Sequence, residues 1–282
     1  MIYDRNTNIV YLSKWLMDND EGHPDFFHRL TSLLSDVGIQ WELLKYTNDY
    51  WARDYMPIQL EDNVFIKYEY YPDYLLKTDE VKKTITNSSR TCKCLGIRYK
   101  ETDIIIDGGN VVPCGDYIVM TKKVFAENNC ADNDPMLLKR LEDVFGHKII
   151  IIPWHKTKWD EYGHSDGLIK YAGGNRILMS NHREAEPKEA AAIRSILEDY
   201  GFEVTELSFN VKRPSPGCNW AYINFLQVGN IIIMPEFRIA EDKQAKEQIK
   251  QMFPECTIYG IRMNEIVPEG GALHCLTWNI KR

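Results

Sequence analysis

No apolar run in this 282-residue chain reaches the roughly 18 residues that a membrane-spanning helix needs, so no membrane partner is expected. The first residues, Met1-Ile2-Tyr3-Asp4-Arg5, lack the basic-then-apolar pattern of a secretory leader. Basic residues form no stripe: 34 Lys and Arg stand against 41 Asp and Glu, a net charge of -7. A nucleic-acid partner is therefore not expected. Metal-knuckle spacing is also absent. Of Cys92, Cys94, Cys114, Cys130, Cys218, Cys256 and Cys275, only the first two are close, and no second pair completes four zinc ligands. Seven is an odd number, and without a leader the cysteines read as reduced thiols in a cytoplasmic protein. With 44% hydrophobic and 27% charged residues the chain is ordinary globular material rather than a disordered one. Its length suits one large domain or two intimate ones.

What is present is a repeat. Apolar strand candidates begin at Ile9, Phe65, Ile118, Ile177 and Ile231, at intervals of 56, 53, 59 and 54 residues. Each precedes a helical pattern, the first being Pro24 to Leu34 with apolar residues three and four apart. The others lie near 79–90, 135–145, 187–200 and 241–252, and the second is weak and polar. Gly38, Gly96, Gly146 and Gly201 stop the first four and Pro254 the fifth. A second strand follows each, at Trp41–Leu44, Ile104–Ile106, Ile149–Ile152, Phe202–Thr205 and Cys256–Tyr259. The chain thus reads as α/β with five strand–helix–strand units, roughly 1–60, 61–113, 114–172, 173–228 and 229–282, in a single domain over 1–282. An ordinary doubly wound sheet also alternates strands and helices, and periodicity alone does not separate the two.

The polar residues shift that balance. Asp54, Asp107, His164, Asn224 and Cys275 lie near the ends of successive units, at intervals of 53, 57, 60 and 51. If the units surround an axis, these segments converge on one pocket. Cys275 is the candidate nucleophile and His164 the candidate proton carrier. Asp54, Asp107 and Asp166 are acceptor-only groups that repel one another unless a cation joins them, either a metal or a planar guanidinium. Trp51 supplies a ring face or an apolar wall. Each element alone has a plainer reading: Arg53 with Asp54 as a surface ion pair, Asp107-Gly108-Gly109-Asn110 as a turn, Cys275 as a small buried hydrophobe, Gly270-Gly271 as a flexible link. The shared period argues against five separate accidents.

At these segments the chain resembles the agmatine deiminase and bacterial peptidylarginine deiminase family of the pentein, guanidine-modifying superfamily. The segments are Trp51-Ala52-Arg53-Asp54-Tyr55-Met56-Pro57, Asp107-Gly108-Gly109-Asn110, Gly163-His164-Ser165-Asp166, Tyr222-Ile223-Asn224-Phe225 with Met234-Pro235, and Gly270-Gly271 before His274-Cys275-Leu276-Thr277. The resemblance implies a pentein α/β propeller with fivefold pseudo-symmetry. It implies hydrolytic deimination, with agmatine as the first-choice substrate and no metal or organic cofactor. Cys275, His164, Asp166 and Asp54 would be catalytic, with Asp54 and Asp166 holding the guanidinium nitrogens. Asp107, Trp51, Asn224 and Gly271 would bind substrate. Family members are often dimers, so a homodimer is compatible with the resemblance.

Three positions depart from the family: Asp107 replaces the usual Glu, Glu269 replaces a Gly, and Trp278-Asn279 replaces a polar Gln. Alternatives in the same chemistry are a peptidylarginine or free-arginine deiminase and an amidinotransferase. A free-arginine enzyme needs a cationic partner for the α-carboxylate, for which Arg183, Arg213 and Arg238 are candidates. More distant readings are arginase-like metal-dependent hydrolysis and a non-catalytic pentein binding protein.

Overall fold

The computed structural model describes residues 1–157 and 160–282. Its strands form where the apolar runs lie. β1 (Ile9–Ser13) pairs in parallel with β2 (Gln40–Leu44) across the helix Pro24–Asp36. The next sheet starts with an antiparallel hairpin, β3 (Ile58–Glu61) and β4 (Val64–Glu69), and β4 then pairs in parallel with β5 (Tyr99–Ile105). The same plan gives β6 (Val112–Cys114), β7 (Tyr117–Thr121) and β8 (Lys148–Ile152). It recurs in β9 (Ile169–Gly173), β10 (Arg176–Met179) and β11 (Glu203–Glu206). The last full copy is β12 (Leu226–Val228), β13 (Ile231–Glu236) and β14 (Thr257–Arg262). β15 (Thr277–Ile280) then runs antiparallel to β1, with Leu12 opposite Thr277 and Ile9 opposite Ile280. The C-terminal strand thereby completes the first sheet, and five three-stranded sheets make the expected five-unit α/β propeller.

Two features differ from the sequence reading. Each unit holds three strands, not two. The overlooked strand is the first of each hairpin, only three residues long in β6 and β12, too short for a period-two pattern to register. The unit boundaries at 61, 114, 173 and 229 therefore fall in the hairpins, and each overlooked strand belongs to the following sheet. The second unit's helix also splits, into Asp79–Lys82 and Ser89–Cys94. No residue of the first piece is buried, so nothing apolar holds a continuous helix there.

The other helices follow their apolar stripes. Phe26, Phe27, Leu30 and Leu34 face inward from the first; Leu137, Leu141 and Phe145 do so from Pro135–Phe145. Ala190, Ile193 and Leu197 line Pro187–Asp199, and Ala245, Ile249 and Met252 line Glu241–Met252. Each large side chain among them contributes roughly 1.5–3 kcal/mol on burial. Proline at the first helical position pre-sets three of these starts. The Asp134 carboxylate caps one of those helices by accepting from the Leu137 amide at 2.8 Å. Gly146 ends it in the left-handed region, at φ 67°. Among the described residues no helix is long and apolar enough to cross a membrane.

Candidate active site

Between the last strand of one sheet and the first strand of the next, the chain makes a short helical turn five times. These turns are Ala52–Tyr55, Gly108–Asn110, Ser165–Gly167, Asn219–Ile223 and Leu273–Leu276. All eight residues expected at the site lie in these turns or within two residues of them. Steric fit explains several of the flanking glycines. A Cβ at Gly108 would come 2.1 Å from the Arg53 carbonyl oxygen. Gly163 has φ 66° and packs against the face of Trp154, so a side chain there is excluded twice.

Gly109 marks the centre of the site. A Cβ added there would lie 2.7 Å from His164 Nδ1, 2.8 Å from Asp54 Oδ1 and 3.2 Å from Asp166 Oδ1. One imidazole nitrogen and two carboxylate oxygens thus face one small space, which the missing side chain keeps open. Asp54 Oδ1 accepts from the Gly109 amide at 3.0 Å and sits 3.5 Å from His164 Nδ1. Asp166 Oδ1 is buried without a hydrogen-bond partner among the described residues. The Cys275 Sγ lies 3.7 Å from Asp166 Oδ2.

Burial and mutual repulsion set the charges of the site. Burial pushes the Asp54 carboxyl up to about 7; the imidazole of His164 opposes the shift, and Asp107 and Asp166 add to it. Burial disfavours charge on His164 as well, but Asp54 and Asp107 outweigh it and raise the imidazole to about 9. The Cys275 thiol lies well above the ordinary range, first because it is buried and then because Asp166 and Asp54 repel a thiolate. Asp166 runs the other way: burial opposes its charge, yet the hydrogen bond from His274 holds it below the usual carboxylate range.

Each expected residue has a definite place. Asp107 is buried behind His164, where its Oδ2 accepts from His164 Nε2 at 2.9 Å and from Lys123 Nζ at 2.7 Å. It therefore faces the imidazole and the lysine. Asn224, expected to bind substrate, is fully buried; its Oδ1 accepts from the Cys275 amide at 3.2 Å and its Nδ2 donates to the Asp166 carbonyl at 3.3 Å. Both ends of its amide are taken by backbone, so it sets the positions of the two turns. Trp51 is half-buried and its ring covers Gly271, where a Cβ would meet it at 2.3 Å. Arg53 and Asp54 are not the surface ion pair of the plainer reading. Arg53 points away, donating to the His274 carbonyl at 3.3 Å and to the Asn279 side chain. Arg183 pairs with Glu206 at 2.9 Å, and Arg213 and Arg238 are exposed.

Sequence reasoning missed five contributors. His274 Nδ1 meets Asp166 Oδ2 at 2.5 Å and its Nε2 lies 3.5 Å from Asp4 Oδ2. It stands next to the expected nucleophile, and that adjacency was the one available signal. Lys123 and Glu127 lie behind Asp107 with no counterpart in the repeat, and Lys122-Lys123 reads as a solvated pair. Tyr162 and Tyr74 place their rings 6.2 and 6.1 Å from that of His164. Behind His274 a cavity is lined by Asp4, Arg53, Lys170, Gln227 and Asn279. Among the described residues no group of three or more His, Cys, Asp or Glu is arranged to hold a metal ion.

A family model described as Porphyromonas-type peptidyl-arginine deiminase matches residues 23–280. "Putative agmatine deiminase 1" of Listeria monocytogenes is 34% identical over 242 residues, covering 73% of this chain and 64% of that protein. An agmatine deiminase of Pseudomonas syringae pv. syringae is 24% identical over 216 residues, covering 64% and 58%. The chain thus spans less than two thirds of the length of these relatives. A solved structure of C. jejuni agmatine deiminase, a cysteine-to-serine variant with substrate bound, superposes with a TM-score of 0.77 at 20% identity. It aligns over 100% of this chain and 96% of that one, which establishes the likeness of fold.

Proposed function

The chain belongs to the Porphyromonas-type peptidyl-arginine deiminase family, and from that premise we propose that it hydrolyses a small cationic guanidine, agmatine, to N-carbamoylputrescine and ammonia through a covalent intermediate on Cys275. One observation carries the reading. An imidazole and two carboxylates surround a space bounded by Gly109, the unpartnered oxygen of Asp166 faces into it, and the Cys275 sulfur lies 3.7 Å from that residue's other oxygen. A planar cation fills that need, since its N–H groups match carboxylate oxygens in direction and its charge relieves their repulsion.

The mechanism follows from the charges. The guanidinium donates to Asp54 and Asp166. Its positive charge, beside Sγ, offsets the two carboxylates and favours the thiolate. The thiolate attacks the guanidinium carbon and forms a C–S bond. As the tetrahedral adduct collapses, one C–N bond breaks, and protonated His164 gives the departing nitrogen its proton. The imidazole, now neutral, takes a proton from water as that water attacks the amidino carbon. Breaking the C–S bond releases the ureido product and returns the sulfur to Cys275. Asp107 keeps Nε2 of the ring engaged throughout, so that Nδ1 faces the reacting carbon.

Agmatine is favoured over arginine on two grounds. The relatives named above are called agmatine deiminases. The rim beside Trp51 also carries carboxylates: Asp49 accepts from the Trp51 amide, and Glu269 accepts from the hydroxyl of Tyr50. A distal ammonium suits that rim, whereas an α-carboxylate does not.

The test is to incubate the protein with agmatine, arginine and a C-terminal-arginine peptide and to measure ammonia and ureido product. Product from agmatine in excess over the others is expected. Product from arginine or the peptide instead would replace the substrate; none from any guanidine would overturn the enzymatic reading. Gly109→Ala is expected to lower kcat/KM for agmatine about 100-fold, since a misplacement of about 1 Å has that effect. The side chain it crowds are His164, Asp54 and Asp166, so its melting temperature should stay within a few degrees of wild type. Unchanged kcat/KM would mean that the guanidinium lies elsewhere.

A further inference from the structure

Behind the imidazole lies a buried charge cluster that the reaction above does not use. Lys123 opens the short helix Lys123–Glu127 and is almost wholly enclosed. Its ammonium donates to Asp107 Oδ2 at 2.7 Å and to Glu127 Oε1 at 2.6 Å, with Asp73 Oδ1 at 3.5 Å and the Tyr74 ring centre at 4.6 Å. The oxygen that takes Lys123 is the same one that takes His164 Nε2, at 2.9 Å. Lys123 is therefore one atom removed from the imidazole. Glu127 Oε2 and Asp107 Oδ1 are buried with no partner among the described residues.

A buried ion pair of this kind is poor support for a fold, because well-packed apolar residues of similar volume are commonly as stable. Its position suggests another task. We propose that Lys123 and Glu127 are positioning residues for His164: Lys123 fixes Asp107 and so the tilt of the ring, and Glu127 holds Lys123 in place. The proposal rests on the deiminase reading for its purpose, though not for its geometry.

The two residues act on the imidazole with opposite sign. Nδ1 faces Asp54 and, across Gly109, Asp166; Nε2 faces Asp107, with Lys123 and then Glu127 and Asp73 behind. Tyr74 and Tyr162 flank the ring, and Cys275 lies beyond Asp166. The Lys123 cation opposes a proton on His164, and Asp107 and Asp54 favour one. Burial, and then Asp107, raise the Glu127 carboxyl to about 8, while Lys123 and His164 pull it down. The attraction between Glu127 and His164 runs both ways, so a charge on Glu127 favours the His164 proton.

The experiment titrates His164 by NMR in the full chain labelled at histidine, with His164→Gln to assign the signal. Lys123→Met is expected to move the titration up by about one pH unit or more, and Glu127→Gln to move it down. The limb of the kcat profile that reports His164 should move in the same directions. Unmoved titrations, or shifts of one sign in both variants, would overturn the proposal. If Lys123→Met does not fold, Glu127→Gln carries the test, with the double variant Lys123→Met/Glu127→Gln expected to titrate above Glu127→Gln. Opposite shifts without turnover of any guanidine would keep the positioning pair and remove the deiminase reading. Turnover with an unmoved His164 would do the reverse.

Discussion

Cys275→Ser is expected to reduce agmatine turnover by about 10⁴-fold or more, the scale on which loss of a covalent nucleophile is felt. The free site already disfavours ionisation of the thiol, through burial first and then through Asp166 and Asp54. In the proposed mechanism the bound cation reverses that balance, and one cation cannot do so for a hydroxyl, whose intrinsic acidity is far lower. The substitution should leave the fold intact. Asn224 accepts from the Cys275 amide, which the substitution retains, and the turn Leu273–Leu276 keeps its backbone bond from His274 to the Asn224 carbonyl. The other cysteines offer no substitute: Cys92, Cys114 and Cys256 are buried in the hydrophobic core, Cys130 and Cys218 are half-buried, and Cys94 is exposed. Ammonia release gives the rate. A haloacetamidine reagent gives an independent reading, since it should add mass at Cys275 in the wild type and not in the variant. Retention of more than a few per cent of the rate by the serine variant would exclude the covalent route.

The parts of this arrangement that were readable in sequence are those with a length scale. Parallel strand pairs such as β7 with β8 carry apolar runs of four residues, and helices such as Pro135–Phe145 carry a stripe over three turns. The recurring interval of about 55 residues joins Asp54, Asp107, His164, Asn224 and Cys275. Short or singular features were not readable. Val112–Cys114 is a strand because it lies in a hairpin against β7, and its three residues include Pro113. The closure of β15 onto β1 joins residues 271 positions apart, from Ile9 to Ile280, and no local pattern encodes it. Lys123 and Glu127 occur once rather than five times, so the period that found the other site residues is blind to them. Asn224 shows a different limit. Its period placed it correctly in the cluster, but period cannot tell a side chain that faces the ligand from one that ties two turns together.

Asp54→Asn and Asp166→Asn should both disable the site while moving stability in opposite directions. Each removes one carboxylate from the guanidinium and puts an amide donor where an acceptor is needed, a change worth about 2–5 kcal/mol in kcat/KM, or at least 30-fold. Their effects on folding follow from pKa. In the folded chain burial raises Asp54 from 3.8 to about 7. Its contribution to stability is therefore present below the unfolded value and is lost as pH rises through 7. At pH 8 the charged form is a burden on the empty site, on the order of a few kcal/mol. Asp54→Asn removes that burden, so its melting temperature at pH 8 should exceed that of the wild type by several degrees, and the gap should close toward pH 4. Asp166 is the opposite case. Its folded pKa is depressed by His274, so its contribution is present above 3.8 and lost as pH falls below it. Asp166→Asn removes the carboxylate that meets His274 Nδ1, the nearer of its two acidic partners, and should melt below the wild type at pH 8. The same protonation of Asp54 should cut kcat/KM for agmatine as pH falls through 7, by up to tenfold per unit, because the guanidinium binds the ionised carboxylate. Thermal melts of the three proteins at pH 5 and pH 8, with and without agmatine, read all of this. Added agmatine should raise the wild-type melting temperature most at pH 8. Shifts of equal sign in the two variants would mean that the carboxylates do not divide the charge as described.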